Sequence, residues 1–342
     1  MVKMLIVSLD CLDWKFLMRF RSHERVGFDV ARMMCSVFSK TEHIHTFAQY
    51  MSFISGLYPD EHGFEYMDTK PLGDMDVSIF DCIWDRFESI GIFQLPMMFP
   101  PPRLKSGWAV TNTTWHKLMS YPEWVAEIAD RGCPEERGSR GGVFVSRDKF
   151  EKMRSSKDPS VVADEEEEFV NLLAAKMRQW TRNLLDVYSR APVDDVIFYQ
   201  PFLDFAAHEV ANEASLKLLY DLAFEQVDVI AKQLQPATLI VFGDHGCCNL
   251  DYRPALANPS FVRMKNGLTL LVPKEDKADV HVIWRTHSPY TTCLVKGSCS
   301  GRLSFVTDII DLRNILVAIA KQRLSDEEKG RIKRKLRELG YI

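Results

Sequence analysis

No apolar run in the sequence approaches the roughly twenty residues that cross a bilayer, and the first, Met4 to Leu9, has only six. That is also too short for the apolar region of a secretion signal. No excess of one charge is present: 43 Lys and Arg face 47 Asp and Glu, for a formal net charge of −4. Nucleic-acid binding and a polybasic membrane patch therefore have no electrostatic basis. The eight cysteines, Cys11, Cys35, Cys82, Cys133, Cys247, Cys248, Cys293 and Cys299, contain no C-x-x-C pair. A zinc ribbon and a thioredoxin-like motif are thereby disfavoured, and a chain this long has no need of a disulfide framework. No internal repeat and no low-complexity linker is visible. The expectation is a cytoplasmic protein with reduced thiols, not attached to a membrane, its oligomeric state left open.

What is present is ordinary globular composition, 46% apolar and 26% charged over 342 residues, enough for a large core. Met4-Leu5-Ile6-Val7-Ser8-Leu9 followed by Asp10 reads as a buried parallel strand with an acid at its carboxyl end. Similar runs lie at 196–199, 239–242 and 268–272, and another short one at 291–295. Between them, 165–190 and 212–235 carry apolar residues at three- and four-residue steps. The Glu165–Glu168 run is read as an acidic helix start. Strands alternating with helices predict an α/β fold, a mostly parallel central sheet with helices on both faces. Residues 94–163 break the rhythm with Pro96, Pro100-Pro101-Pro102, Trp108, Trp115, Tyr121-Pro122 and the stretch 137–142. They are read as an inserted cap over the sheet edge, dividing a core of 1–93 and 164–324. From Ser325 onward, Ser325 with Glu328 fits a capping box and Ile332, Leu336 and Leu339 give a thin apolar stripe, so 325–342 is expected to be a terminal helix.

Chemistry gathers at strand ends. Asp10 follows the first strand, Asp204 and His208 follow the strand at 196–199, and Asp244-His245-Gly246 follows the strand at 239–242. Thr286-His287 precedes the run at 291–295. Ligands of open α/β sheets collect at such carboxyl ends. Three carboxylates and three imidazoles suit zinc or manganese and suffice for two ions with about three protein ligands each. Asp204 and His208, four apart, share a face if helical. Adjacent Asp244 and His245 need an irregular turn, which Gly246 permits. Two ions about 4 Å apart clamp the entering and leaving oxygens of a phosphoryl transfer.

The segment from Thr46-Phe47 through Ser55-Gly56-Leu57-Tyr58-Pro59-Asp60-Glu61-His62-Gly63 is similar to the nucleophile segment of the type I phosphodiesterase/nucleotide pyrophosphatase branch of the alkaline phosphatase superfamily. The Asp-x-x-x-His, Asp-His-Gly and late Thr-His elements match as well. Residues 83–101 and Tyr121-Pro122-Glu123 resemble a narrower microbial group described as predicted phosphohydrolases or phosphomutases. The likeness spans about residues 4–320, and is thin over 130–165. It implies Asp10, Thr46, Asp244 and His245 as ligands of one metal and Asp204, His208 and His287 as ligands of the other. The ions it implies are two divalent cations, zinc before manganese. Thr46 is the implied nucleophile, and the Phe47 amide and Gln49 side chain are candidate donors to phosphoryl oxygens.

The chain departs from the pattern at Cys11, where glycine is usual, at Gln49, where the pyrophosphatases have asparagine, and at Gly243, where serine is usual. Cys247 and Cys248 are read as small buried residues, His62 as a structural turn histidine, and His45 as a packed or exposed residue, with support of Thr46 as the alternative. A sulfatase is excluded by the lack of proline and arginine in Thr46-Phe47-Ala48-Gln49-Tyr50. The expected function is a two-metal phosphohydrolase cleaving phosphodiester or pyrophosphate bonds through a phosphothreonine. The alternatives are a phosphomonoesterase, a phosphomutase with Arg103, Lys105, Lys117 or Arg285 holding a phosphorylated acid, and a non-catalytic metal- or ligand-binding protein. The expected partner is a small phosphate ester or nucleotide; Trp108, Trp115 and Tyr121 are read first as a small core of their own segment, with stacking on the substrate as the alternative.

Overall fold

In the computed structural model of the chain the described residues are 2–37, 44, 46–64, 80–98, 100–111, 118–129, 143–249, 261–263, 269–271 and 279–338. The chain runs through β1 (Met4–Leu9), α1 (Trp14–Phe20), β2 (Val30–Cys35), α2 (Thr46–Ser55), α3 (Pro59–His62), β3 (Ile90–Phe93), β4 (Gly107–Thr111), β5 (Met119–Tyr121) and α4 (Trp124–Ala129). It continues through β6 (Phe144–Ser146), α5 (Arg147–Ser156), α6 (Ala163–Arg190), β7 (Asp195–Gln200), α7 (Phe202–Glu209), α8 (Glu213–Leu234) and β8 (Thr238–Phe242). The remainder is β9 (Gly246–Asn249), β10 (Phe261–Arg263), β11 (Thr269–Leu271), β12 (Asp279–His281), β13 (Arg285–Ser288), β14 (Tyr290–Gly297), α9 (Ser300–Leu303) and α10 (Ile309–Glu338).

Eight strands form one mixed sheet in the order β2-β14-β8-β1-β7-β3-β4-β5. The central run β8-β1-β7-β3-β4 is parallel. The edges are antiparallel, with β14 on β8 and β2, and β5 on β4. The period-two pleat splits the apolar residues of each central strand between two cores. Leu5, Val7, Val196, Phe198, Leu239 and Val241 face one core, which α6 and α8 close with Phe169, Leu173, Leu216 and Leu219. Ile6, Ile197, Ile240 and Phe242 face the other, closed by Phe53 and Ile54 of α2 and Leu312 and Leu316 of α10. This is why the central strands read as unbroken apolar runs: both faces are covered.

Four expectations need correction. Within 94–163, β4 and β5 extend the central sheet itself, so this part is a sheet layer and not a cap over it. Trp108 of β4 is fully buried, and its indole N–H donates to Ala191 O at 2.8 Å; it is core and presents no stacking surface. The run at 268–272 yields β11, which among the described residues pairs with β10 in a separate two-stranded sheet. The terminal helix does not begin at Ser325, because α10 is continuous from Ile309. Trp115, Lys117, Cys133, residues 137–142, Leu268, Val272 and Leu339 lie outside the described residues, as does His45. No described helix is long and apolar enough to cross a membrane.

Candidate two-metal active site

The three adjacent parallel strands β8, β1 and β7 deliver the acids. Asp10 stands one residue past β1, Asp244 two past β8, and Asp204 in α7, which begins two residues after β7. The loop after β1 is held in place from two sides. Asp13 caps α1, accepting from Phe16 N at 2.9 Å, while its other oxygen accepts from Cys247 N at 3.1 Å. Tyr220 of α8 donates to Cys11 O at 3.2 Å.

Each of the two most buried carboxylates is pinned by one oxygen and open at the other. Tyr199 donates to Asp10 Oδ2 at 2.5 Å, and Cys11 N–H donates to Asp244 Oδ1 at 3.2 Å. Asp10 Oδ1 and Asp244 Oδ2 are buried with no hydrogen-bond partner, and they lie 3.2 Å and 3.4 Å from His245 Nε2. Buried anionic oxygens without partners are costly unless a cation fills the gap.

The imidazoles are organised by the main chain. His245 Nδ1 lies 3.0 Å from Gly246 O, His208 Nδ1 2.6 Å from Arg285 O, and His287 Nδ1 2.8 Å from Ile44 O. A carbonyl only accepts, so each Nδ1 carries the proton and the lone pair of each neutral ring sits on Nε2. All three Nε2 atoms surround Asp204 Oδ1, at 3.1 Å for His208, 3.7 Å for His287 and 3.8 Å for His245. Such outer bonds orient histidines that bind metals. Thr46, first residue of α2, places its Oγ1 3.0 Å from His245 Nε2. The amino end of α2, with its positive dipole, thus opens beside the same group.

The residues fall into two donor sets, Asp204 with His208 and His287, and Asp10 with Asp244 and His245. The second set is sealed, with side chains 0–3% exposed, while the first is 14–22% exposed and gives the way in from solvent. Electrostatics show the demand for positive charge. Burial and repulsion from Asp10 push the Asp244 carboxyl up. Burial opposes charge on His245, but Asp244 and Asp10 outweigh it and raise the ring. His208 is raised to about 9 because Asp204 overcomes its burial. His287 is pushed down to about 3 by burial and by His245. Asp204 is held below the usual range, its burial outweighed by the three imidazoles.

Other expectations resolve differently. Gln49 does not face the site: it is fully buried, accepting from Val37 N at 2.9 Å and donating to Val37 O at 2.7 Å. Its amide stands in for a strand neighbour beyond the end of β2. Phe47 is partly buried in the first turn of α2. Arg285 is not a substrate cation; its guanidinium donates to Ala207 O and Val210 O at the end of α7. Cys247 is buried as expected, whereas Cys248 is exposed. The acidic run does more than start a helix: Glu166 is buried and accepts from Ala211 N and Asn212 N, both at 2.9 Å. Tyr199, Asp13 and Tyr220 went unread. Only the register Ser8↔Tyr199, at the carboxyl ends of β1 and β7, marks the first of them.

His62 accepts from Phe64 N at 3.1 Å through Nδ1 and contacts Ser52 Oγ at 3.1 Å through Nε2. Burial lowers its pKa to about 4. The neutral ring is favoured in the fold, so stability is retained above pH 6.5 and declines as pH falls from there toward 4. Its ring resonances are expected to stay fixed between pH 8 and 5.5 in an NMR titration; a midpoint near 6.5 would contradict the burial.

Gly246 does not serve through backbone freedom, since its φ is not positive. A Cβ there would instead collide with Tyr290 O and Asp13 Oδ2. Gly246→Ala must displace β14 or the α1 cap, both rigid, and is expected to cost about 2–4 kcal/mol by the usual range for overpacking and lost buried bonds. Chemical denaturation checks this; a loss under 0.5 kcal/mol would mean the contact yields freely.

No family model matches the sequence, and no curated protein matches it. Solved structures do. Human ectonucleotide pyrophosphatase / phosphodiesterase 5 superposes with a TM-score of 0.52 at 10% identity, covering 93% of this chain and 94% of that chain. The murine protein of that name gives 0.50 at 12%, covering 93% and 95%. An inactive variant of the murine protein, in complex with AMP, gives 0.50 at 12%, covering 94% and 95%. The fold is therefore the alkaline phosphatase-like α/β fold.

Proposed function

We propose that the chain is a two-metal phosphohydrolase that cleaves phosphodiester or pyrophosphate bonds through a phosphothreonine. The observation that carries this is the convergence of three tethered imidazoles and three acids beside one threonine hydroxyl. Asp10, Thr46, Asp244 and His245 would hold one divalent cation, and Asp204, His208 and His287 the other. The donor set of carboxylates and imidazoles suits zinc first and manganese second. When bound, such ions lower the pKa of the hydroxyl and shield the phosphoryl charge.

The chain's own part follows. Thr46 Oγ1 forms a bond to phosphorus as the bond to the leaving oxygen breaks, giving phosphothreonine. Water then attacks phosphorus, the Thr46 Oγ–P bond breaks, and the hydroxyl is restored. The amino end of α2 favours the phosphoryl anion at Thr46. The exposed side of the centre, at His208 and His287, is where substrate enters. A small phosphate ester or nucleotide is the substrate class, in keeping with the AMP complex of the murine neighbour. We assign its selection to parts of 94–163 outside β4 and β5.

Metal-free protein, reconstituted with two equivalents of zinc, is the test. A chromogenic diester should be cleaved at least about tenfold faster than the matching monoester. Failure to cleave either with zinc or manganese overturns the proposal, and the reverse preference overturns its diester assignment.

A further inference from the structure

We propose that Cys11 is a thiolate ligand of this metal centre, and that the centre therefore selects zinc or cobalt over magnesium and manganese. This rests on the two-cation reading above, adds a donor to the cation at His245, and counts Asp204 as within reach of that ion as well as of its own. Cys11 Sγ, an Asp204 carboxylate oxygen and a His245 ring nitrogen all lie within 4.8 Å of one another. Side-chain shifts of about an ångström would close that spread to the distances of one ion, about 2.3 Å to sulfur and 2.0–2.2 Å to nitrogen and oxygen. Cys11 is fully buried and held fast, its N–H on Asp244 Oδ1 and its carbonyl receiving the Tyr220 hydroxyl. His245 is shared with Asp10 Oδ1 and Asp244 Oδ2, the two buried oxygens that have no hydrogen-bond partner. The thiol thus borders a group already short of positive charge. It packs with Ala207, Cys247 and Phe16.

On binding, the Cys11 S–H bond breaks, its proton leaves to solvent and the sulfur lone pair forms the bond to the ion. A soft sulfur donor discriminates against hard cations, which carboxylates and imidazoles alone do far less.

Cobalt(II) titrated into the metal-free full chain reads this directly. The wild type should show visible d–d bands together with a near-ultraviolet thiolate-to-cobalt charge-transfer band. In Cys11→Ala the charge-transfer band should vanish while the d–d bands remain, and the preference for zinc over manganese in competition should fall at least about tenfold. Cys11→Gly serves as the second variant, because the backbone φ of 58° at this position suits glycine. Cys247→Ala and Cys248→Ala should keep the band. Cobalt bound without a charge-transfer band, or a band that disappears with Cys247 or Cys248 instead, overturns the thiolate and leaves the two-cation reading standing. A chain that binds no cobalt fails both.

Discussion

Thr46→Ala is expected to reduce turnover by about ten-thousandfold or more, the scale seen when a nucleophile is removed. It should still bind two equivalents of zinc. The reason is the division of labour at the site. Six acids and imidazoles remain after the substitution, and each imidazole keeps its tether to the main chain. The hydroxyl contributes a single oxygen, 3.0 Å from His245 Nε2. Thr46→Ser should recover part of the rate, because it keeps the oxygen and loses only a methyl group. Rapid quench with a labelled substrate should trap phosphoprotein in the wild type and none in Thr46→Ala. Near-normal hydrolysis by Thr46→Ala would remove the threonine from the mechanism.

Arg285→Met should disable the more open metal set while sparing the sealed one. Arg285 acts twice on α7. Its guanidinium reaches Ala207 O at 3.2 Å and Val210 O at 2.6 Å, satisfying carbonyls at the negative end of the helix. Its own carbonyl holds His208 Nδ1 at 2.6 Å. Facing it, Glu166 accepts from the amides of Ala211 and Asn212 just before α8, so the α7–α8 turn lies between a buried cation and a buried anion. Loss of the guanidinium leaves two buried carbonyls short of a donor and Glu166 without its countercharge. The expected cost is about 3–5 kcal/mol of stability, typical of breaking a buried charged contact. Zinc affinity at Asp204, His208 and His287 should fall about 10–100-fold, the range seen for residues that orient ligands. The other site should stay within threefold. Equal weakening at both sites would show that the arginine matters only to global stability.

How legible this was from sequence varied with the physics involved. Strands covered on both faces announce themselves, so β1, β7 and β8 emerge from Met4–Leu9, 196–199 and 239–242 alone. Asp10, Asp204, His208, Asp244 and His245 follow their carboxyl ends, where an α/β sheet gathers its ligands. That is why these five scattered positions can be nominated together, whereas Thr46 and His287 depend on their motifs. The 94–163 region was misjudged because β4 and β5 are short and separated by residues that carry no strand signal. Their membership of the sheet depends on β4 pairing with β3 and β5 with β4, which is not a local property. Gln49 and Arg285 misled for a different reason. Both have side chains that suit phosphate, and only their burial shows that the backbone of Val37, Ala207 and Val210 already occupies them. Tyr199 was missed because its meaning lies entirely in register.

The carbonyls of Ile44, Gly246 and Arg285 that fix the three rings are groups every amino acid possesses. A mutation at such a position can change the residue's name without touching the bond. The aim of the imidazoles is therefore inherited through the path of the backbone, which alignment of letters does not register. Two chains can differ at about nine positions in ten, as this one and its human structural neighbour do at 10% identity, and still keep their strands on the same course.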